Sequence, residues 1–192
     1  MNVFYESFPD CITVKGMEYP IITDYREWIR FSDMFMSDIP TTLKLKFLTE
    51  MFLDDHPDVY DDDGLESTIT GITEFLTMTG TNFPAEGIRK DEERSVKGIY
   101  YDYDAPYIIS AFLRDYRIDL LEIPYLHWWK FRMLLDGLDE KSQIKERMYY
   151  RTVNVQSIKD KEERKRILKV RRMITLPDEE YVSDGGIGNA FI

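Results

Sequence analysis

The densest group of potential metal ligands in the sequence is an acidic stretch that ends at Gly64. Residues 54–63 contain six aspartates and one histidine, and carboxylates placed before a glycine are typical of a calcium-binding loop. The spacing does not fit an EF-hand, because Gly64 at the sixth loop position places Val59 at the first and Thr70 at the twelfth, where oxygen ligands are required. An acidic, solvent-exposed loop is therefore predicted, without a metal site.

A second group of acids, Asp102 and Asp104, lies between tyrosines. Two carboxylates at this spacing could hold a metal ion or act as an acid and a base. Asp104, however, stands two residues before Pro106 and is followed by apolar residues at helical spacing, which is typical of a helix N-cap. A carboxylate there also interacts favourably with the positive end of the helix dipole. We therefore predict that Asp104 caps a helix.

Catalytic residues at a recognisable spacing are missing from the sequence. The chain has two histidines, His56 in the acidic stretch and His127 beside an apolar stripe, and one cysteine, Cys11. It has no Walker loop, no nucleophile elbow and no paired-cysteine or histidine zinc motif. We predict a protein that is not an enzyme and that uses no cofactor. A metal-dependent hydrolase remains an unfavoured alternative, because the many carboxylates could line a metal site.

A basic helical face is the feature best suited to bind phosphates. The sequence from Ser157 or Asp160 to about Ile174 has apolar residues at helical spacing beside a row of basic ones. The basic residues are Lys161, Arg164, Lys165, Lys169 and Arg172. Because aromatic residues and a glycine-rich loop are missing from this helix, three uses stay open for the face: an acidic protein surface, nucleic acid, or solvation alone.

The net charge of −11 is unevenly distributed along the chain. Residues 1–104 carry 9 basic and 22 acidic side chains, a balance of −13, whereas residues 105–192 carry 16 and 14, a balance of +2. The first half would repel duplex nucleic acid, and its acidic surface allows pairing with the basic half of a second copy in a homo-oligomer. A single cysteine and the lack of a long apolar run predict a soluble intracellular protein without a membrane segment.

The predicted fold class is mainly α, with a small N-terminal β-hairpin. The hairpin is predicted at about 11–22, around Lys15 and Gly16. A single helical domain is predicted over residues 1–177, with a mobile connection at about 81–99, where apolar periodicity is lost. Residues 178–192 are predicted to form a flexible tail.

Several residues are predicted to open helices within this domain. Asp24 and Asp139 suit N-cap positions, and Pro40 suits the first turn of a helix. From Leu65 onward, apolar residues again recur at helical spacing, although threonines weaken this helix by restricting its side-chain rotamers.

The rest of the chain is predicted to pack against a helix over residues 124–137, which holds two of the three tryptophans. Pro124 suits its first position and Gly137 the residue just past its end. One apolar stripe of this helix is formed by Trp128, Phe131, Leu135 and Leu138. A helix that is apolar on two sides lies either at the centre of its domain or against a partner.

The second apolar side of this helix is the candidate protein-binding surface. It consists of Leu126, Trp129 and Met133, with Met148, Tyr149 and Tyr150 as candidate neighbours. Exposed apolar side chains of this kind could hold a helical partner protein, while surrounding charges keep the complex in solution.

The same helix carries a resemblance to a known family. Residues 126–131 and 135–138 resemble the signature of the phage gene-product-fifteen family of tail assembly chaperones, known from long-tailed phages and prophages of Gram-positive bacteria. Further similar segments follow the same order along the chain: residues 103–108, 112–115, 159–165 and 176–177. The resemblance is therefore specific from about residue 100 to residue 177 and looser in the N-terminal half.

The resemblance implies a role that the residues alone do not. A member of this family would keep the tape-measure protein soluble and help the major tail (tube) protein to gather around it. It would act in the host cytoplasm and be absent from the mature virion. A nucleic-acid-binding phage accessory protein that uses the basic helix is the alternative function.

Overall fold

The computed structural model describes residue 2 and residues 4–81 and 98–174. The elements in these ranges are β1 (Cys11–Val14), β2 (Met17–Pro20), α1 (Tyr25–Met36), α2 (Thr41–Thr49), α3 (Asp62–Thr77), α4 (Tyr101–Tyr116), α5 (Trp128–Asp136), α6 (Gln143–Thr152), a 3₁₀ turn (Val155–Ser157) and α7 (Lys161–Ile174). The predicted fold class, mainly α with an N-terminal hairpin, is confirmed. The predicted tail at 178–192 and most of the predicted connection at 81–99 lie outside the described residues, and the single domain stays a prediction.

The hairpin pairs β1 with β2 in antiparallel register, with Ile12 opposite Tyr19 and Val14 opposite Met17. Its turn requires two consecutive residues with positive φ, which are Lys15 at 50° and Gly16 at 78°. This is the geometry of a two-residue turn that follows the right-handed twist of the strands.

One face of the hairpin packs against α3. Ile12 and Val14 alternate along β1 and are both buried. Gly71 of α3 permits the approach, because a Cβ there would lie 3.3 Å from Ile12 and 3.4 Å from the Thr13 carbonyl oxygen. At the turn, Lys15 donates to Asp61, with 2.8 Å between Nζ and Oδ2. The small sheet is therefore fixed in place by a helix.

Helix α3 begins at Asp62, three residues before the predicted start at Leu65. Asp61 is its N-cap and accepts from the Gly64 N–H, so the acidic stretch serves partly as a helix start. The threonines are accommodated by hydrogen bonds to the preceding turn, such as that of the buried Thr68 hydroxyl to the Gly64 carbonyl at 2.7 Å.

Among the other predicted helix starts, those near Asp24 and Pro40 agree with the structure and the one at Asp139 does not. Asp24 caps α1 as predicted, by accepting from the Arg26 N–H, and Pro40 directly precedes α2. The prediction that Asp139 caps a helix is wrong, because Ser142 caps α6 by accepting from the Lys145 N–H. Asp139 instead stabilises a turn by accepting from the Lys141 N–H.

The prediction that Asp104 caps α4 is also wrong. The helix begins at Tyr101, and Asp104 lies within its first turn, where its carboxylate accepts from the backbone N–H of Tyr100 at 2.9 Å. The carboxylate is fully buried and pairs with Arg151 and Arg147 of α6, at 3.0 Å from a donor nitrogen of each. Burial raises the pKa of Asp104, but the hydrogen bonds from Arg151, Tyr100 and Arg147 outweigh it and hold this pKa below its ordinary value.

Helix α7 is attached to α6 by arginine. Asp160 opens α7 by accepting from the N–H groups of Glu162 and Glu163. Arg171 donates to the carbonyl oxygens of Tyr150 and Val153, which belong to the end of α6 and the residue after it. These carbonyls have no partner within the helix, so the arginine both caps α6 and docks α7.

The buried ion pair gives a stability test. Replacing Asp104 by Asn leaves the Arg151 charge buried with only neutral partners, and losing one member of such a pair typically costs about 3–5 kcal/mol. We therefore expect Asp104→Asn to lower the midpoint of urea denaturation at pH 7 substantially. The matched control is Glu162→Gln, which breaks an exposed pair with Lys165 and should leave the midpoint unchanged. Equal midpoints for wild type and Asp104→Asn would contradict this assignment.

Candidate functional site

The central helix is shorter than the predicted span of residues 124–137. Helix α5 begins at Trp128, so Pro124 is not its first residue, and Gly137 is its C-cap as expected. Just before α5, the backbone forms a β-bridge with the residues at the start of α1. The backbone N–H of Tyr25 donates to the Leu126 carbonyl at 2.9 Å, and the backbone N–H of Trp128 donates to the Thr23 carbonyl at 2.7 Å. These backbone bonds hold residues before Trp128 in an extended conformation.

His127 is the N-cap of α5. Its Nδ1 accepts from the Trp129 N–H at 3.0 Å, and its Nε2 lies 3.0 Å from the Pro9 carbonyl oxygen. Because Nδ1 accepts, the neutral ring carries its proton on Nε2 and donates it to Pro9. Burial lowers the pKa of His127, and the hydrogen bond to Pro9 opposes that shift without cancelling it. The ring therefore joins the N-terminal segment to the central helix in its neutral form.

Both tryptophans of α5 are buried and hydrogen-bonded to the end of α3. Trp128 donates its indole N–H to the Leu76 carbonyl at 3.1 Å, and Trp129 donates to the Phe75 carbonyl at 2.8 Å. These carbonyls lie in the last turn of α3, and that of Phe75 also accepts from the backbone N–H of Met78, the C-cap of α3, at 3.2 Å. Each indole therefore fills the core and satisfies a backbone acceptor with its polar atom.

Aromatic rings extend this packing to the neighbouring helices. Phe131 of α5 stacks on Tyr25 of α1 with 4.7 Å between ring centroids and on Phe112 of α4 with 5.3 Å. Trp28 of α1 lies 6.3 Å from Trp128. Helix α5 is thus surrounded by α1, α3 and α4, which is the central position that its two apolar sides allow.

The predicted exposed patch on α5 is not formed, and this expectation is corrected. Leu126 and Trp129 are both buried, each with 4% of its surface exposed, and Met133 is half-buried. The physical reason is that the second side of α5 is covered within the same chain. Phe75 and Phe8 lie against Trp129, with ring centroids at 5.7 Å and 6.2 Å.

The candidate neighbours of that patch lie on α6 and differ in exposure. Met148 is half-buried and packs against the core, and Tyr150 is half-buried. Tyr149 is 53% exposed and makes an edge contact with Tyr150, with 5.5 Å between ring centroids. Tyr149 is therefore the member of the predicted set with the most surface available to a partner, and a binding role for these residues stays a prediction.

The basic face of α7 is less continuous than predicted. Lys161, Lys169 and Arg172 are exposed. Arg164 is turned inward and donates to the Ile158 carbonyl at 2.7 Å, so the expectation that it belongs to an exposed face is wrong. Lys165 is exposed but paired with Glu162 at 2.8 Å. Acidic partners on the same helix thus reduce the positive field that a phosphate would meet.

An open apolar groove lies between α1, α4 and the segment of residues 117–127 that links α4 to α5. It encloses about 280 Å³. Its walls are formed by Tyr25, Ile29, Ala105, Ile109, Leu120 and Leu121. Sequence reasoning missed this groove, because it is built from three segments that are distant in the chain and no single segment shows a distinctive pattern.

The described residues were also compared with the requirements of a metal site and of a membrane-spanning helix. No group of three or more histidine, cysteine, aspartate or glutamate side chains is arranged there to hold a metal ion. Likewise, none of the helices in residues 4–81 and 98–174 combines the length and apolar character needed to span a membrane.

Comparison with known protein families matches residues 4–176 to the family described as Bacteriophage Gp15 protein. The chain belongs to this family. The match covers the α5 residues that carry the resemblance and also the N-terminal half, where the resemblance is looser. It therefore extends over nearly the whole of this Gp15-family chain. No curated protein and no solved structure matches the sequence.

The capping role of His127 predicts a pH dependence of stability. The folded-state pKa of His127 lies below the ordinary value of 6.5 that applies to the unfolded chain. The stabilisation is therefore complete above 6.5 and is lost as the pH falls from there through the folded-state pKa, since the unfolded chain takes up the proton first. His127→Asn keeps a good N-cap acceptor and removes this titration. We expect wild type to lose more stability than His127→Asn between pH 7 and pH 5, as measured by urea denaturation. Parallel pH profiles would contradict the assignment.

Because Trp129 is buried and Tyr149 is exposed, replacing each by serine should lower the stability of the fold by different amounts. Trp129→Ser removes a buried indole and its hydrogen bond, and a substitution of this size in a core typically costs about 3–5 kcal/mol. We expect a large fall in the thermal midpoint for this variant. Tyr149→Ser alters an exposed ring and serves as the control, with a midpoint close to that of wild type. A stable Trp129→Ser variant would show that this side of α5 is open after all.

Proposed function

We propose that this protein is a tail assembly chaperone that binds the tape-measure protein and helps to recruit tail-tube subunits. It acts in the host cytoplasm and is absent from the finished virion. The observation that carries the proposal is membership of a bacteriophage family across residues 4–176, together with the resemblance of the α5 segment to tail assembly chaperones. The proposed molecule is a binding protein rather than an enzyme, and it needs no cofactor.

The surface chemistry is compatible with such a role. Several large apolar side chains are mostly exposed among the described residues, including Phe4, Tyr5, Leu53, Tyr60, Leu121 and Met173. The net charge of −11 keeps a chain with such a surface in solution. A long client with apolar helical faces could thus be held at apolar positions while the acidic surface prevents the complexes from aggregating.

The alternative functions receive no specific support from the geometry. A nucleic-acid-binding role would use α7, but Arg164 is turned inward and Lys165 is paired with Glu162. A metal-dependent hydrolase would need a group of ligands, and the carboxylate at Asp104 is instead occupied by two arginines. A binding role is therefore the function that we carry forward.

Co-expression with the tape-measure chain of the same phage tests the proposal. We expect the tape-measure chain to be insoluble when expressed alone and to remain in the soluble fraction, bound to this protein, when both are expressed. The control is an unrelated acidic protein of similar size at the same expression level. A tape-measure chain that stays insoluble in both cases, or is soluble without either, would contradict the chaperone role.

A further inference from the structure

We propose that the apolar groove between α1, α4 and the 117–127 segment is the site that binds the client, and that its occupant is an amphipathic client helix with a basic residue beside its apolar face. This inference rests on the proposed function and names the surface and the chemistry of the partner. It replaces the second side of α5, which is buried, as the candidate surface.

The size of the groove sets how much of a client it can hold. An apolar cavity of about 150 Å³ accommodates one benzene molecule, so the 280 Å³ of this groove corresponds to about two apolar side chains. Along α4, the lining extends from Tyr101 to Ile109, which is eight residue steps or about 12 Å at the helical rise. Two anchors over this length match a helix of about two turns, with apolar residues at positions i and i+4 or i and i+7.

The walls of the groove are held in place before any partner arrives. The Tyr25 hydroxyl donates to the Leu120 carbonyl at 2.7 Å, and Arg26 donates to the carbonyls of Leu120 and Ile123. Asp119 accepts from the Leu121 N–H at 2.9 Å. These bonds fix the linking segment against α1, so a client would pay little to order its binding site.

Leu121 is the most exposed apolar side chain in the lining of this groove. Its side chain is 74% exposed although it forms part of an apolar wall. A client side chain placed in the groove would therefore remove apolar surface on both molecules from water.

Charge complementarity indicates a basic partner. Asp102 lies in the groove wall, and Asp119 and Glu122 belong to the linking segment. Burial is the main cause that raises the pKa of the Tyr25 hydroxyl, and the charge of Asp119 adds to it. The nearby Arg26 is paired with Asp24 at 3.1 Å. A Lys or Arg of the client beside its apolar anchors would meet the Asp102 carboxylate at the rim of the groove.

A second copy of this chain fits the groove less well. The basic element that could meet the acidic rim is α7, whose exposed face is mostly charged and presents one exposed large apolar side chain, Met173. One anchor fills about half of the available volume. A client helix with two apolar anchors is therefore the occupant that the groove favours.

Two variants test the groove without relying on loss of core packing. Ala105→Phe fills the groove from the α4 wall, and Leu121→Glu places a charge at a mostly exposed position. Leu53→Glu, at a position 61% exposed between α2 and α3, is the matched control. Each variant is co-expressed with the tape-measure chain, the complex is isolated through a tag on this protein, and the thermal midpoint of the isolated variant is measured.

We expect Ala105→Phe and Leu121→Glu each to reduce the co-purified tape-measure chain at least tenfold, with Leu53→Glu at the wild-type level and all midpoints within a few degrees. If wild type retains the tape-measure chain and the two groove variants retain it equally well, the groove assignment is overturned while the chaperone role stands. If wild type fails to retain it, both proposals are overturned. If the groove variants instead convert a dimer of this protein to a monomer without affecting the client, the occupant is a second copy.

The rim charge is tested separately. We expect Asp102→Lys to weaken retention of the tape-measure chain more than Asp55→Lys, which makes the same charge change in the acidic stretch, and we expect the difference to shrink at high salt. Equal effects of the two variants would show that net charge alone matters and would overturn the assignment of a basic residue to the client.

Discussion

Two indole N–H groups hold the central contact of this structure. Trp128 and Trp129 begin α5, and their indoles donate to carbonyls in the last turn of α3. A buried tryptophan must pair its N–H, and a buried helix end must pair its carbonyls. These bonds pair both indole N–H groups, so the start of α5 cannot move away from the end of α3 without leaving two buried donors unpaired.

The remaining connections join segments that are far apart in the sequence to this contact. The bridge between residues 23–25 and 126–128 attaches α1 to the start of α5, and His127 attaches the N-terminal segment at Pro9. On the other side of α4, the buried carboxylate of Asp104 holds α6 through Arg151. Apolar packing fills the space, while directional polar bonds between distant residues select one arrangement of the helices.

This rigidity explains why the proposed binding surface is a groove rather than a helix face. Four apolar residues of α5 are buried and contribute to stability: Trp128, Trp129, Phe131 and Leu135. Apolar surface remains in the groove between α1, α4 and the linking segment, and the polar bonds of Tyr25 and Arg26 attach that segment to α1. The proposed client would thus meet apolar surface on a preformed scaffold, in a protein whose negative net charge keeps it in solution.

The sequence by itself determined the mainly helical fold, the hairpin at Lys15 and Gly16, the cap at Asp24 and the resemblance around α5. These features depend on local periodicity, on turn geometry and on the order of short segments along the chain. Only the tertiary structure decided the start of α5, the burial of Trp129, the ion pair of Asp104 and the groove at Leu121. Local patterns give the same prediction for a carboxylate that caps a helix and one that pairs with arginines 43 and 47 residues away. They also cannot tell which of two apolar helix sides is covered, since that depends on where Phe8, Phe75 and α3 come to lie once the whole chain has folded.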